Sequence, residues 1–285
     1  MSGGSDPYVY PGTNTLKNLA NIRDPQELTT FEAEATLRRV LELLRRPIQG
    51  NFDTAYLKAI HKHLFQDVYP WAGRFRTTVL AKREFEGGLV IYFTEPHLLE
   101  YEAERIFSAL HRATPLRGIP SHRFAREAAT LLAGLNTLHP FREGNGRTQR
   151  AFVQAVAQKS GHSLYFDTVS RERMVRASIL STHGDPSMMI RLFQEITDAD
   201  RVKPLRRAIA FLEANGFKWN DIYIATTTPG QTYTGRLVGR DQDAFMMRTV
   251  ADQIIIGKQS DIQPEARSED QLSFTVSWPE PKTAI

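Results

Sequence analysis

HPFREGNGRTQR, residues 139–150, is the stretch from which the rest of the chain can be read. It falls between two runs with helical periodicity. Upstream, residues 121–138 place Ala128, Leu131, Leu135 and Leu138 on one face behind a Ser121 cap. Downstream, a helix opening near Arg147 runs to residue 160 and closes at Gly161. Pro140 disfavours helical geometry at His139, so the first helix is expected to stop there. His139 then sits at a helix C-terminus, whose dipole favours an imidazolium. Gly144 and Gly146 can take positive φ and let a ligand approach the backbone. The following helix aims its first N–H groups into the loop, a cradle for phosphate. Arg147 and Arg150, three apart, can face one anion, and Glu143 supplies the hard carboxylate that a phosphate-bound Mg²⁺ needs. Singly these are ordinary punctuation. Together a base, a metal carboxylate, an anion nest and two guanidinium groups describe phosphate-ester transfer. The Lys-Ser/Thr pair of a Walker A loop is missing.

Working outward, the first two-thirds of the chain reads as helical. Asp24-Pro25 starts a helix, and residues 30–46 continue the periodicity through Leu37, Val40, Leu41 and Leu44 as far as Pro47. Further helices are expected at 53–65, 95–112, 170–181 and 186–198. Residues 77–93 interrupt them with two β-prone runs around Glu86-Gly87-Gly88, a hairpin signal. After a connecting helix (201–215, its core 204–214), strands are expected near 221–226, 231–239, 243–249, 252–258 and 271–277. The predicted fold class is mainly α with an inserted β-hairpin, followed over 216–285 by a small five-stranded OB-like β-barrel.

Composition narrows the chemistry. The chain has 285 residues, 41% hydrophobic and 24% charged, enough for a sizeable core. It has no cysteine, which excludes disulfides, thiolate catalysis and cysteine-ligated zinc and fits a reducing cytoplasm. No run of 18 apolar residues suggests a membrane span, and the start shows no basic-then-apolar leader. The net charge of +4 is uneven: residues 216–285 carry seven Lys/Arg against nine Asp/Glu, so the basic excess lies with the 139–150 loop. That acidity, and sparse aromatics (Tyr223, Tyr233, Phe245), argue for a structural or docking role of the β-region over nucleic-acid binding. His61 and His63, at i and i+2 on a helix, point apart and cannot share an ion, so they read as packing or surface residues. Trp71 reads as core.

The 139–150 stretch resembles the Fic motif, HPF-x-[D/E]-G-N-G-R-x-x-R, at every fixed position. The resemblance extends to residues 60–76 and 178–193 and covers about residues 8–200. Tyr10 to Asn18 and the trailing β-region look most like the Fic-plus-OB portion of Bartonella effectors delivered by type IV secretion. The resemblance implies a Fic domain over 1–200, with a flexible start at 1–7 and a flap at 77–93. It implies ATP and Mg²⁺ as cofactors and AMP transfer to a Tyr, Thr or Ser hydroxyl of a target protein. His139 would be the base and Glu143 the metal ligand. The loop N–H groups around Gly144 and Gly146, with Asn145, would hold the α- and β-phosphates. Arg147 would grip the β-phosphate and Arg150 the γ-phosphate. Gly146 favours AMP transfer, because a Lys there marks the branch that transfers a terminal phosphate. Lys82, Arg83 and Glu84 on the flap would read the target, expected to be a Rho-type GTPase in a host cell reached from the bacterial cytoplasm. The alternatives are a toxin modifying bacterial topoisomerase and a non-enzymatic nucleic-acid module. Many relatives carry a self-inhibitory [S/T]-x-x-x-E-[G/N] helix. Here Glu precedes Gly or Asn only at Glu86 and Glu143, with Lys82 and His139 four residues earlier. The chain is therefore expected to be active alone or held by a separate small antitoxin.

Overall fold

Asp24 opens the first long helix by accepting hydrogen bonds from the N–H groups of Gln26 and Glu27, with Pro25 in the first turn. With the helix nucleated there, the two stretches read separately from the sequence fuse into α1 (Pro25–Arg45). The computed structural model describes residues 6–83, 90–112 and 118–277. In α2 (Thr54–Phe65), capped by Asp53, residues Leu57, Ile60, His61 and Leu64 share the buried face. The hairpin follows as β1 (Ala81–Arg83) and β2 (Val90–Tyr92), antiparallel with Lys82 opposite Ile91. Its Glu86-Gly87-Gly88 turn lies outside the described residues. A 3₁₀ turn (Pro96–Leu98) leads into α3 (Leu99–Arg112), and α4 (Ser121–Leu138) and α5 (Asn145–Ser160) flank the motif loop. Ser121 is the first helical residue of α4 and Pro120 holds the cap position, so the expected serine cap is not made.

The chain divides into two compact units, Met1–Pro120 with Glu127–His162, and Ser121–Arg126 with Ser163–Ile285. The core of the first gathers Leu57, Ile60, Phe65, Phe107, Leu135, Phe141 and Phe152, each nearly or fully buried. Each such side chain contributes about 1.5–3 kcal/mol on burial. Tyr56, Phe52 and Phe107 pack around the Phe152 ring.

The second unit holds α6 (Arg171–Thr182), α7 (Ser187–Ile196) and α8 (Ala199–Ala214). Its five strands are β3 (Ile224–Thr226), β4 (Thr232–Arg240), β5 (Ala244–Thr249), β6 (Ile254–Lys258) and β7 (Gln271–Thr275). All five expected strands form, but the expected barrel does not. The sheet is open, in the order β3-β6-β5-β4-β7, with β3 parallel to β6 and the other pairs antiparallel. Closure would require the two edge strands to pair. On β3 the outer edge is already satisfied by helix side chains. The Thr226 N–H donates to Glu195 Oε2 at 2.6 Å, and the Ile224 carbonyl accepts from Arg173 at 3.2 Å. One face of the sheet is covered by Leu205, Ile209 and Leu212 of α8, and Ile262 and Ala266 pack with Leu237, Phe245 and Met247 in a second cluster. No helix among the described residues is long and apolar enough to cross a membrane.

Candidate active site

Helix α4 ends where Pro140 requires it. His139 turns into the left-handed region (φ 43°, ψ 58°) while its N–H still bonds the Leu135 carbonyl. Its ring stacks on Phe93 at 3.8 Å between centroids. Nδ1 lies 3.3 Å from the Asn136 carbonyl and, as the donor there, leaves Nε2 as the basic nitrogen. The dipole expectation is overridden. Burial first, then the charges of Lys82 and Arg76, lower the His139 pKa to about 3. The imidazole is therefore neutral and able to take a proton at physiological pH. Protonation would abolish that role, so activity is lost as pH falls through this pKa. The acid limb of kcat/KM for a reaction that uses this base is expected well below the ordinary histidine range, and Lys82→Met should move it upward. A limb at the ordinary histidine value of about 6.5, unmoved by Lys82→Met, would contradict this.

Arg76 was not singled out from the sequence, where it is one cation in a basic turn. It is 2% exposed. Its Nε donates to the His139 carbonyl at 2.9 Å, Nη1 to Thr78 O at 2.7 Å and Nη2 to Thr94 O. Its backbone N–H donates to Pro140 O at 2.8 Å. One guanidinium thus ties the histidine turn to both legs of the hairpin. His61, read as a packing residue, is fully buried and stacks on Phe141 at 3.7 Å. It also anchors the loop. Nε2 donates to the Glu143 carbonyl at 3.0 Å, and Nδ1 accepts the Gly73 N–H at 2.8 Å. Burial lowers its pKa to about 4, which keeps this tautomer neutral.

The loop closes through Asn145, whose Oδ1 accepts the Phe141 N–H at 2.9 Å and whose Nδ2 donates to Phe141 O at 2.7 Å. With both ends of its amide engaged, Asn145 shapes the loop. Gly144 takes the expected positive φ of 81°, and a Cβ there would lie 2.3 Å from the Phe65 ring. Gly146 does not. It is helical, in the first turn of α5, and a Cβ there would lie 3.5 Å from Arg150 Nη1. The N-cap Gly144 has no side-chain acceptor for the helix-start N–H groups, and the first intrahelical bond is Thr148 N–H to Gly144 O. Those N–H groups suit an anion.

The two arginines differ in their surroundings. Arg147 pairs with Glu32 and lies 4.7 Å over the Phe65 ring. Arg150 makes no hydrogen bond or ion pair among the described residues, and burial, then the charge of Arg147, lower its pKa. A desolvated guanidinium without a counter-ion favours an arriving anion strongly. The Glu143 carboxylate is 45% exposed, accepts the Gly144 N–H at 2.8 Å and lies 3.9 Å from Arg147. No cluster of three or more potential metal-ligating His, Asp or Glu side chains occurs among the described residues. A cation at Glu143 would be completed by phosphate and water oxygens, which suits Mg²⁺. Lys82 and Arg83 lie on exposed β1, and Glu84 is outside the described residues.

Known proteins match this arrangement over long stretches. The family model described as Fic/DOC matches residues 51–157. A protein adenylyltransferase of Bartonella henselae is 32% identical over 282 residues, 94% of this chain and 52% of that protein. The chain thus spans about half the length of that curated relative. The solved type IV secretion system effector protein BepA superposes with a TM-score of 0.85 at 30% identity, over 96% of this chain and 97% of that one. The BepC protein of Bartonella tribocorum, a VirB-translocated effector solved with bound AMPPNP, gives a TM-score of 0.60 at 32% identity, over 67% of this chain and 96% of that one. Identity of this extent across whole solved chains, around a 139–150 loop intact at every fixed position, makes this chain a member of the Fic/DOC family.

Proposed function

We propose that this chain is a protein adenylyltransferase that transfers AMP from ATP to a hydroxyl side chain of a target protein. The observation that carries the reading is Arg150, a partly buried cation without a counter-ion among the described residues, on the helix whose open N-terminus follows a neutral histidine. The target oxygen attacks the α-phosphorus as its proton passes to His139 Nε2. The bond from the α-phosphorus to the bridging oxygen breaks, and pyrophosphate leaves. The α5 N–H groups and Arg147 and Arg150 hold the phosphates and stabilise charge on the transferring group. Mg²⁺, held by Glu143, would supply charge neutralisation on the phosphates. The catalytic part lies within residues 1–200, and exposed β1, with Lys82 and Arg83, pairs with an extended segment of the target.

The names of the relatives support a bacterial effector translocated into a host cell, where a Rho-type GTPase is the proposed target. Arg150 lacks a carboxylate partner among the described residues, which fits an enzyme without the internal inhibitory motif. A separate small antitoxin is the proposed restraint. The test is incubation of the chain with α-labelled ATP in host and bacterial lysates, followed by mass spectrometry. Proteins carrying an added AMP in host lysate support the reading. AMP on a bacterial topoisomerase alone would favour the toxin alternative, and no AMP on any protein would refute the activity.

A further inference from the structure

Arg147 has a partner that the motif does not contain. On α1, Glu32 accepts from Arg147 Nη2 through Oε1, and Thr36, one turn on, accepts from Nη1 at 3.1 Å. The second oxygen of Glu32 is engaged elsewhere, since Oε2 accepts the Tyr69 hydroxyl. Burial, then the charge of Glu32, raise the Tyr69 pKa, so that hydroxyl keeps its proton. The Tyr69 ring is itself pinned, stacked on Trp71 at 4.3 Å. The Glu32 side chain is only 13% exposed, so the contact is largely shielded from water.

A carboxylate on a phosphate-gripping arginine could act in two ways. Bonded to both arms of the guanidinium fork, it would occupy the arginine and compete with phosphate. Bonded to one nitrogen, it would fix the plane and leave the other donors available. The geometry here is the second. Tyr69 draws one oxygen of Glu32 away, so the carboxylate meets Arg147 through a single oxygen. Thr36 takes one donor of the neighbouring nitrogen, and Phe65 lies under the plane. The remaining N–H donors of Arg147 engage no hydrogen-bond acceptor among the described residues.

We propose that Glu32, set by Tyr69, is a positioning residue that aims Arg147 at a phosphate of the nucleotide beyond the α-position. This rests on the reading of residues 139–150 as a nucleotide site. Because the effect runs through one arginine, it concerns the outer phosphates and not the nucleoside. The test is titration of the full chain with AMPPNP and, separately, with AMP, in the presence of Mg²⁺. Glu32→Ala and Arg147→Ala should each weaken AMPPNP about tenfold and leave AMP within about twofold, and the double variant should be no weaker than Arg147→Ala alone. Glu32→Gln, which keeps the shape, should fall between wild type and Glu32→Ala if the alanine variant is poorly folded. Tyr69→Phe should also weaken AMPPNP, because the freed oxygen lets Glu32 occupy both arms of the fork.

Tighter AMPPNP binding by Glu32→Ala would make Glu32 a competitor of phosphate and overturn the proposal. Equal weakening of AMP and AMPPNP would mark a merely structural role and also overturn it. If Arg147→Ala weakens AMPPNP while Glu32→Ala and Glu32→Gln do not, the inference falls and the proposed function stands. If wild type binds neither nucleotide, the proposed function itself falls.

Discussion

Replacing His139 by alanine is expected to lower AMP transfer about a thousandfold, within the range for loss of a general base, while AMPPNP binding stays within about twofold. The separation follows from the geometry. His139 is outside the phosphate cradle formed by the start of α5, so its ring contributes to proton transfer and not to the hold on the nucleotide. Initial rates with labelled ATP and a calorimetric titration measure the two effects independently. A variant retaining more than about a tenth of wild-type transfer would show that another group takes the proton. The low His139 pKa also limits its strength as a base. Burial, and then the charges of Lys82 and Arg76, keep it neutral, which makes it ready at physiological pH and weaker per proton taken.

Replacing Arg173 by methionine is expected to destabilise the chain by about 3–5 kcal/mol, the usual result of leaving one partner of a buried ion pair alone. Arg173 is 1% exposed and Glu195 is fully buried. The pair is also the join between α6, α7 and the edge of β3, through the Ile224 carbonyl and the Thr226 N–H. Burial would raise the Glu195 pKa, but Arg173 and the other partners outweigh it and hold the carboxylate below its ordinary value. Its contribution is therefore present at neutral pH and lost as pH falls through that lowered value. Urea unfolding of Arg173→Met and of the double variant with Glu195→Met checks the assignment. The double variant should recover part of the loss, because neither member of the Arg173–Glu195 pair is then buried without the other. A single-variant loss under about 1 kcal/mol would refute it.

The helices and all five strands were readable because their signals are local: Asp24 before Pro25, Gly161 after the α5 pattern, and alternation between turn residues. The barrel was wrong because strand order is not local. Whether β3 meets β7 depends on what satisfies the outer edge of β3, and that is Glu195 and Arg173, some thirty to fifty residues earlier in the chain. The same distinction divides the site. Gly144 was expected at positive φ and adopts it. Gly146, equally free to take a positive φ, lies inside the helix, because α5 opens at Asn145, two residues before the start expected near Arg147.

Residues 139–150 settle on their own which groups are present: a histidine stopped by proline, a carboxylate, a glycine turn and two arginines at helical spacing. They do not settle the state of those groups. Burial against Phe93, with Arg76 and Lys82 nearby, makes His139 neutral where a bare helix end would favour its charged form. Glu32 compensates Arg147 and leaves Arg150 without a counter-ion, although the two look equivalent in sequence. The reason is physical. Residue type and spacing are written along the chain, whereas desolvation and ion pairing depend on side chains that only folding brings to the loop.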